Sequence, residues 1–370
     1  MMASGLHIDA SPTVMERNIA LIHMPIQERI DWVIQRAVRQ SAEFQDCESW
    51  LERNRYLAQH PTAIAALMCM DGRVNVSLHT KMPRGIIQPF RNLGGRFDLG
   101  WPNLGELLAE SVVDETKKGR MVLCLVTYHF SKSDRHRGCA GFGYDTEEAR
   151  AHAFNVVRQL DRCFGGKHRS VFPLAVGIET DEEALIFHGA DGKLLDLSTV
   201  SPNDHHYLLR SVTQLYPDMP EQMVADLLPL LHGNISHIAD LKQIDHSFNL
   251  DHHEWIICLG RGFDWLQMAN LALIIGPYSP DLSEPIHTAA TIIEANMRNK
   301  RIPDDGFLIL AEASYDHLGV GRARAGLESR FLAEFAARVI RERHPDLAKT
   351  MHLRSAIISK ESRGIEFIVQ

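Results

Sequence analysis

Cys69, Asp71 and Arg73 alternate in the stretch ALMCMDGRVNV (residues 65–75), directly behind an apolar run. In an extended chain, residues two apart leave from the same face, so a thiol, a carboxylate and a guanidinium share one side at the end of a buried strand. Opposite charges at such a place face a polar cavity and each other, because burying either alone is costly. A second cluster follows in VTYHFSKSDRHRGCAGFGYDTEEA (126–149), where His129 closes an apolar run as Cys69 does. Cys139 sits ten residues on, in a glycine-rich turn that leads into a helix. Two thiolates and one imidazole are a soft-metal ligand set. With three protein ligands a zinc ion keeps its fourth position for water, the catalytic arrangement, whereas structural zinc is usually closed by four. His136 competes for the imidazole role through the compact spacing His136-x-x-Cys139, but it lies in the charged loop SKSDRHRG (131–138). A ligand on a rigid strand end is better positioned, which favours His129.

The elements that must carry these groups are legible as short, continuous apolar runs. TAIAALMCM, MVLCLVTYHF and FPLAVGIET are each too short for a typical helix and rich in branched residues, and they read as buried strands of a largely parallel sheet. Between them lie helical patterns, LGELLAESVVDETKKG and DTEEARAHAFNVVRQLDRCFGG, the second opening on Asp145 and Glu147 and closing on Gly165-Gly166. Strand–helix alternation predicts an α/β layer architecture. Residues 13 to about 58 have helical spacing and form an N-terminal helical segment, taken as 1–56. A zinc-binding catalytic domain then spans 57–200. The turn-rich passage GADGKLLDLSTVSPNDHH places a boundary near residue 200. From 201 to 370, EWIICLGRGFDWL, FLILAEASYDHLGVG and ESRFLAEFAARVIRE repeat the order strand, strand, long amphipathic helix. The likeness of ESRFLAEFAARVI to EEARAHAFNVVRQL suggests a diverged internal duplication.

Composition narrows the function. The 370 residues are 45 % hydrophobic and 23 % charged with a net charge of −8, an ordinary globular balance. No run of five or six like charges appears, so neither nucleic acid nor an anionic membrane is an expected partner. No uninterrupted apolar segment approaches the length of a bilayer span, and no secretory leader is recognisable, which predicts a cytoplasmic protein. The six cysteines are then read as packing residues, ligands or reactive thiols before disulfides. Cys124 and Cys163 are assigned to the core. The pairs His205-His206 and His252-His253 lie in polar, loop-like contexts and read as bland histidines. The glycines Gly138, Gly141 and Gly143, and later Gly319, Gly321 and Gly326, lack the G-x-G-x-x-G spacing of a dinucleotide site.

Cys-x-Asp-x-Arg, a histidine at a strand end and Gly-Cys before a helix together resemble the β-class carbonic anhydrases. YHFSKSDRHRGCAGFGYDTEEA and VGIETDEEALIFHG are similar to the carboxysome shell carbonic anhydrase branch, in which the histidine and second cysteine are further apart than in ordinary β-class enzymes. That separation also favours His129 over His136. The resemblance covers residues 57 to 195 with specific motifs and 205 to 370 in outline, and Arg91-Asn92-Leu93-Gly94-Gly95 resembles the glycine loop lining the β-class pocket. It implies a β-carbonic-anhydrase-like α/β fold, zinc (Zn2+) on Cys69, His129 and Cys139, and a catalytic dyad of Asp71 and Arg73. It further implies carbon dioxide and bicarbonate as substrate and product, a homo-oligomer, and a C-terminal domain that is a degenerate copy of the catalytic one. Shell enzymes carry a long N-terminal extension, and the short stretch preceding the helices here speaks for the cytoplasm over the carboxysome.

In this expectation Asp71 accepts a hydrogen bond from the attacking oxygen and Arg73 keeps Asp71 ionised and away from the metal. The alternatives are a zinc hydrolase of another small heterocumulene, such as carbon disulfide, and a zinc-stabilised scaffold without activity. In the second half WIICLGRG answers to ALMCMDGR. Cys258 would stand in for Cys69 with His317 as its only partner, a ligand set too small for catalytic zinc. Residues 205–370 are therefore expected to be silent, and to bury the apolar face of LESRFLAEFAARVI against the first half.

Overall fold

Branched and apolar residues fill Ala63–Cys69 (β1), Val122–Phe130 (β3) and Val171–Glu179 (β4), and all three strands are buried along almost their whole length. Burial on both faces is what a parallel sheet with helices on each side demands. The computed structural model describes residues 20–165, 170–202, 204–262 and 268–368. The first seven residues of the expected N-terminal helical stretch, 13–19, and Gly166 at the end of the second helical pattern lie outside the described residues.

The first sheet has the order β2-β1-β3-β4-β5-β6, with β2 at Ile87–Asn92, β5 at Ala184–His188 and β6 at Leu194–Asp196. Its first four strands run parallel and the last two are antiparallel additions. Helix Pro102–Lys117 (α3) crosses from β2 to β3, and Thr146–Phe164 (α4) crosses from β3 to β4. Asp145 caps α4 by accepting from the Glu147 and Glu148 amides, one more reason the chain turns helical there. Two preceding helices, Ile26–Gln45 (α1) and Cys47–Gln59 (α2), form the N-terminal segment. Strand β2 carries no sequence signature of its own because it contains Pro89, which the first sheet accommodates by placing β2 at its end.

The second sheet has the order β8-β7-β9-β10-β11, formed by Ile256–Leu259 (β7), Ala272–Ile275 (β8), Phe307–Tyr315 (β9), Met351–Ser359 (β10) and Ile365–Ile368 (β11). Strands β8, β7, β9 and β10 are parallel and β11 is antiparallel. This repeats the order and directions of β2, β1, β3, β4 and β5. Helices His205–Leu215 (α5) and Glu221–Leu241 (α6) come before this sheet in the chain. Their apolar faces nevertheless share a core with Ile64, Ala66, Leu123 and Val176 of the first sheet. Helices Ser283–Arg298 (α7) and Val320–Arg343 (α8) are the crossovers β8→β9 and β9→β10, at the places of α3 and α4.

The expectation for LESRFLAEFAARVI needs correction. Ala325, Leu332, Ala333, Ala336, Val339 and Ile340 of α8 are buried against their own sheet, while Leu327 and Phe331 are 69 % and 65 % exposed. A crossover helix has to cover the sheet it connects, so this face was never available to the first half. The two halves meet elsewhere: the Asn270 amide donates to Gly72 O (2.8 Å), Ile274 N to Met70 O (2.9 Å) and Gly276 N to Arg91 O (2.9 Å). One apolar cluster containing Leu67, Val126, Trp255, Cys258 and Leu310 runs through both. Each fully buried Leu or Ile in it contributes roughly 2 kcal/mol.

Candidate metal centre

Cys69 is the last residue of β1 and His129 the penultimate residue of β3, and the parallel register Leu67↔Val126 brings both to the same end of the sheet. Cys139 reaches them from the turn before α4. That turn lies flat on the loop after β2, because Gly94 and Gly141 touch backbone to backbone; a Cβ on Gly141 would stand 2.6 Å from Gly94 Cα. Gly94 and Gly95 also hold positive φ, 67° and 64°, which side chains resist. The Sγ atoms of Cys69 and Cys139 are 4.0 Å apart. Those two sulfurs and a His129 ring nitrogen lie within 4.8 Å of one another, all buried.

Neither ring nitrogen of His129 has a hydrogen-bond partner, although the residue is only 2 % exposed. A buried imidazole without hydrogen-bond partners, facing two thiols, suits a metal ligand, since each unpaired buried polar atom would otherwise cost about 1–3 kcal/mol. The donor set of two thiols and an imidazole fits zinc. The Cys139 thiol donating to Cys69, with the His129 imidazole beside it, holds Cys69 well below the ordinary thiol range against the effect of burial. Cys139, the donor to that sulfur and itself buried, is pushed well up. Burial pushes His129 down, but the charge on Cys69 outweighs it and the net direction is up.

Asp71 and Arg73 form a closed ion pair beside the cluster. Asp71 Oδ1 accepts from Arg73 N (2.9 Å) and Nε (3.1 Å), and Oδ2 accepts from Nη2 (2.7 Å). Both side chains are almost fully buried, and Asp71 Oδ2 stands 3.8 Å from His129 Nε2. Burial raises the Asp71 carboxyl, yet the Arg73 guanidinium, first among its neighbours, holds it far below the usual carboxylate range. Arg73 is raised in turn, its burial outweighed chiefly by Asp71. Arg91 braces the strand end by donating from Nη1 to Cys69 O (3.0 Å) and Asp71 O (3.1 Å).

The sequence reading missed two residues here. His252, taken as a bland surface histidine, has a side chain only 12 % exposed, and its Nε2 lies 3.0 Å from Arg73 Nη2. Its Nδ1 is 2.9 Å from the fully buried Glu254, whose Oε1 accepts from Gly72 N. The only signal was a His-x-Glu just before an apolar strand, and nothing in it named a partner 180 residues away. Asp71, His252 and Glu254 are the other set of grouped potential ligands among the described residues. Arg73 stands between Asp71 and His252, so a guanidinium already supplies the cation that these three would hold.

The remaining candidates separate cleanly. His136 is exposed and packs against Tyr144, outside the cluster. Cys124 is buried in the core with its thiol pushed up to about 12, but Cys163 is a correction: it is exposed on the last turn of α4. Cys258 sits inside β7 in the shared core, His317 lies in an exposed loop, and the two take part in no ligand group among the described residues.

Residues 60–241 match the family model of the carboxysome shell carbonic anhydrase catalytic domain. This part of the chain is similar to that family. The match contains Cys69, Asp71, Arg73, His129 and Cys139, together with α5 and α6, which cover the first sheet. A curated relative, the carboxysome shell carbonic anhydrase of Halothiobacillus neapolitanus, is 26 % identical over 203 residues, or 44 % of this chain and 38 % of the relative. The chain thus aligns with well under half the length of that relative. A solved carbonic anhydrase from Streptococcus mutans is 17 % identical, covering 40 % of this chain and 95 % of that one, with a TM-score of 0.21. Among the described residues no helix is long and apolar enough to cross a membrane.

Proposed function

We propose that the protein catalyses the reversible hydration of carbon dioxide to bicarbonate with zinc held by Cys69, His129 and Cys139. The observation that carries this reading is the convergence of these three side chains within 4.8 Å, with both imidazole nitrogens unpartnered, beside the Asp71–Arg73 pair. Zinc, when bound, supplies the Lewis acidity that makes a water nucleophilic near neutral pH. The chain's own residues do the rest. Arg73 keeps Asp71 ionised and turned toward itself, so the carboxylate is an acceptor and not a fourth ligand. Asp71 Oδ2, which faces His129, retains lone-pair capacity to accept a proton-bearing oxygen of water or bicarbonate and so orient it. Arg91 fixes the backbone from which Cys69 and Asp71 project.

The proposed organisation is an N-terminal helical segment over 1–56, a catalytic unit over 57–200 and a silent repeat over 201–370 that opens with two helices lent to the first sheet. We propose a homo-oligomer in the cytoplasm, the carboxysome being the compartment that the relative's name adds.

Stopped-flow carbon dioxide hydration, run before and after chelation and again after adding zinc back, tests the reading. Activity that disappears and returns with one zinc per chain supports it. A zinc-loaded protein that hydrolyses carbon disulfide and leaves carbon dioxide untouched, or that does neither, overturns it.

A further inference from the structure

The second half has no metal cluster of its own among the described residues, yet it reaches into the first half's dyad. The Arg73 guanidinium is held from four directions, two of them from beyond residue 245. Asp71 takes its Nε and Nη2, Leu250 O takes Nη1 at 3.0 Å, and His252 Nε2 faces Nη2 at 3.0 Å. A guanidinium only donates, so His252 Nε2 must be the acceptor and its proton must sit on Nδ1. Glu254 enforces that tautomer: both carboxylate oxygens lie within hydrogen-bond reach of Nδ1, at 2.9 and 3.1 Å. Glu254 is itself fixed, its Oε1 by Gly72 N at 3.0 Å and its carbonyl by the Asn296 side chain at 3.1 Å. The chain of contacts runs Glu254–His252–Arg73–Asp71, and Gly72 between the last two closes it into a ring.

The ring has no need of bulk. A Cβ on Gly72 would stand 2.7 Å from Ala272 O and 3.0 Å from the Glu254 side chain. The second half is pressed onto the DGR turn itself, and only glycine allows it. Without His252 and Glu254, Arg73 would keep Asp71 and Leu250 O but lose the acceptor that sets the plane of its Nη2 edge. Asp71 follows that plane, because each of its oxygens accepts a hydrogen bond from Arg73.

We infer that His252 and Glu254 are positioning residues for the Asp71–Arg73 pair, supplied from the second half of the same chain, a repeat that has lost its own chemistry. The inference rests on the proposed carbon dioxide hydration for its catalytic consequence and not for its geometry. His252 contributes an acceptor and a donor at fixed separation, and Glu254 selects which nitrogen is which. This explains why the second sheet persists beside a complete ligand set: the first unit is chemically complete in ligands and incomplete in alignment.

Two measurements on the full chain test it. With arginine labelled in 15N and the Arg73 signal assigned through Arg73→Lys, the guanidinium protons should exchange slowly with solvent. Exchange should quicken about tenfold or more in His252→Ala and stay slow in His252→Gln, whose amide offers an acceptor and a donor together. In the hydration assay His252→Ala should lose kcat by about a hundredfold at full zinc occupancy with KM little changed, the scale expected of a misaligned group. His252→Gln should recover most of that loss, and Glu254→Gln should fall between them, because an amide no longer dictates the tautomer. Unchanged exchange in His252→Ala, or equal losses in His252→Ala and His252→Gln, overturns the inference. A zinc-loaded wild type without hydration activity sinks the functional reading instead, and the exchange rates then still decide the role of the ring.

Discussion

The two sheets share a strand order, a set of directions and the places of their crossover helices, and differ at one corner. At the ends of β1 and β3 the first sheet offers Cys69 and His129, with Cys139 arriving from the turn. Past β7 and near the end of β9 the second offers Arg261, Glu312 and Ser314. Glu312 accepts from Gly262 N (2.6 Å) and Ser314 Oγ (3.2 Å), and its side chain fills the space that a Cβ on Gly260 would need. A carboxylate bonded to backbone occupies the second corner, and an orphaned imidazole occupies the first. The frame therefore does not make the site. The same stack of parallel strands is stable with either set, because its core is built from the strand interiors and the strand ends are left to chemistry.

The comparison breaks most visibly through metal. Cys69→Ala or Cys139→Ala should bring zinc well below one per chain and hydration to background, while Cys258→Ala and His136→Ala should keep a full complement by elemental analysis. Full zinc in either of the first two variants, or a second zinc that disappears with Cys258, would remove the distinction between the corners. Next in size is the dyad. Asp71→Asn and Arg73→Ala should retain zinc and lose hydration by about 10²–10⁴-fold, the usual worth of a positioned proton-handling group. Wild-type rates in either would leave the ion pair a structural feature only.

Acidity should separate the halves through buried charge of opposite sense. In the first half His79 is buried beside Glu183 (3.3 Å), and burial pushes its imidazole down to about 4. The unfolded chain then binds the proton first, so stability conferred by neutral His79 is complete above about 6.5 and declines as pH falls toward 4. The loss is on the order of 3 kcal/mol. Glu183, held low by His79, His237 and Asn249 despite burial, adds to the decline in the same direction. Urea midpoints between pH 7 and 4 should fall steeply, and His79→Gln should flatten the slope; an unchanged slope would show that His79 does not titrate as its burial demands.

The smallest effect belongs to the second corner. Burial raises Glu312 above the usual carboxylate range despite the Gly262 and Ser314 contacts. Its contribution is greatest at acid pH and is lost as pH rises through its folded value. Glu312→Gln should therefore stabilise the protein by about 1 kcal/mol or less at pH 8 and by nothing measurable at pH 4. Destabilisation at pH 8 would mean that the ionised carboxylate is needed at that corner.

Much of this was legible before any coordinates. The period-2 row Cys69, Asp71, Arg73, the apolar runs ending in Cys69 and His129, and the capped start of α4 at Asp145 are local signals, and local signals fix strands, caps and the side on which a residue leaves its strand. Strand β2 was not legible, since Pro89 hides it, and Cys163 was placed in the core because a lone cysteine is more often a small core residue than a ligand, although it stands exposed on the last turn of its helix. The register of parallel strands is not written in either strand, so the choice of His129 over His136 became geometry only when β1 and β3 were laid side by side. The role of His252 and Glu254 lay furthest from reach. Their partners Arg73 and Gly72 are some 180 residues earlier, and nothing in a His-x-Glu before a strand distinguishes a solvated pair from one buried against another unit. What the chain's own order of residues determined was which side chains could do chemistry and on which element each would stand. Which of them meet was decided by the packing of one sheet against the other, because contacts between distant segments depend on how whole layers bury their apolar faces, and no short window of sequence carries that information.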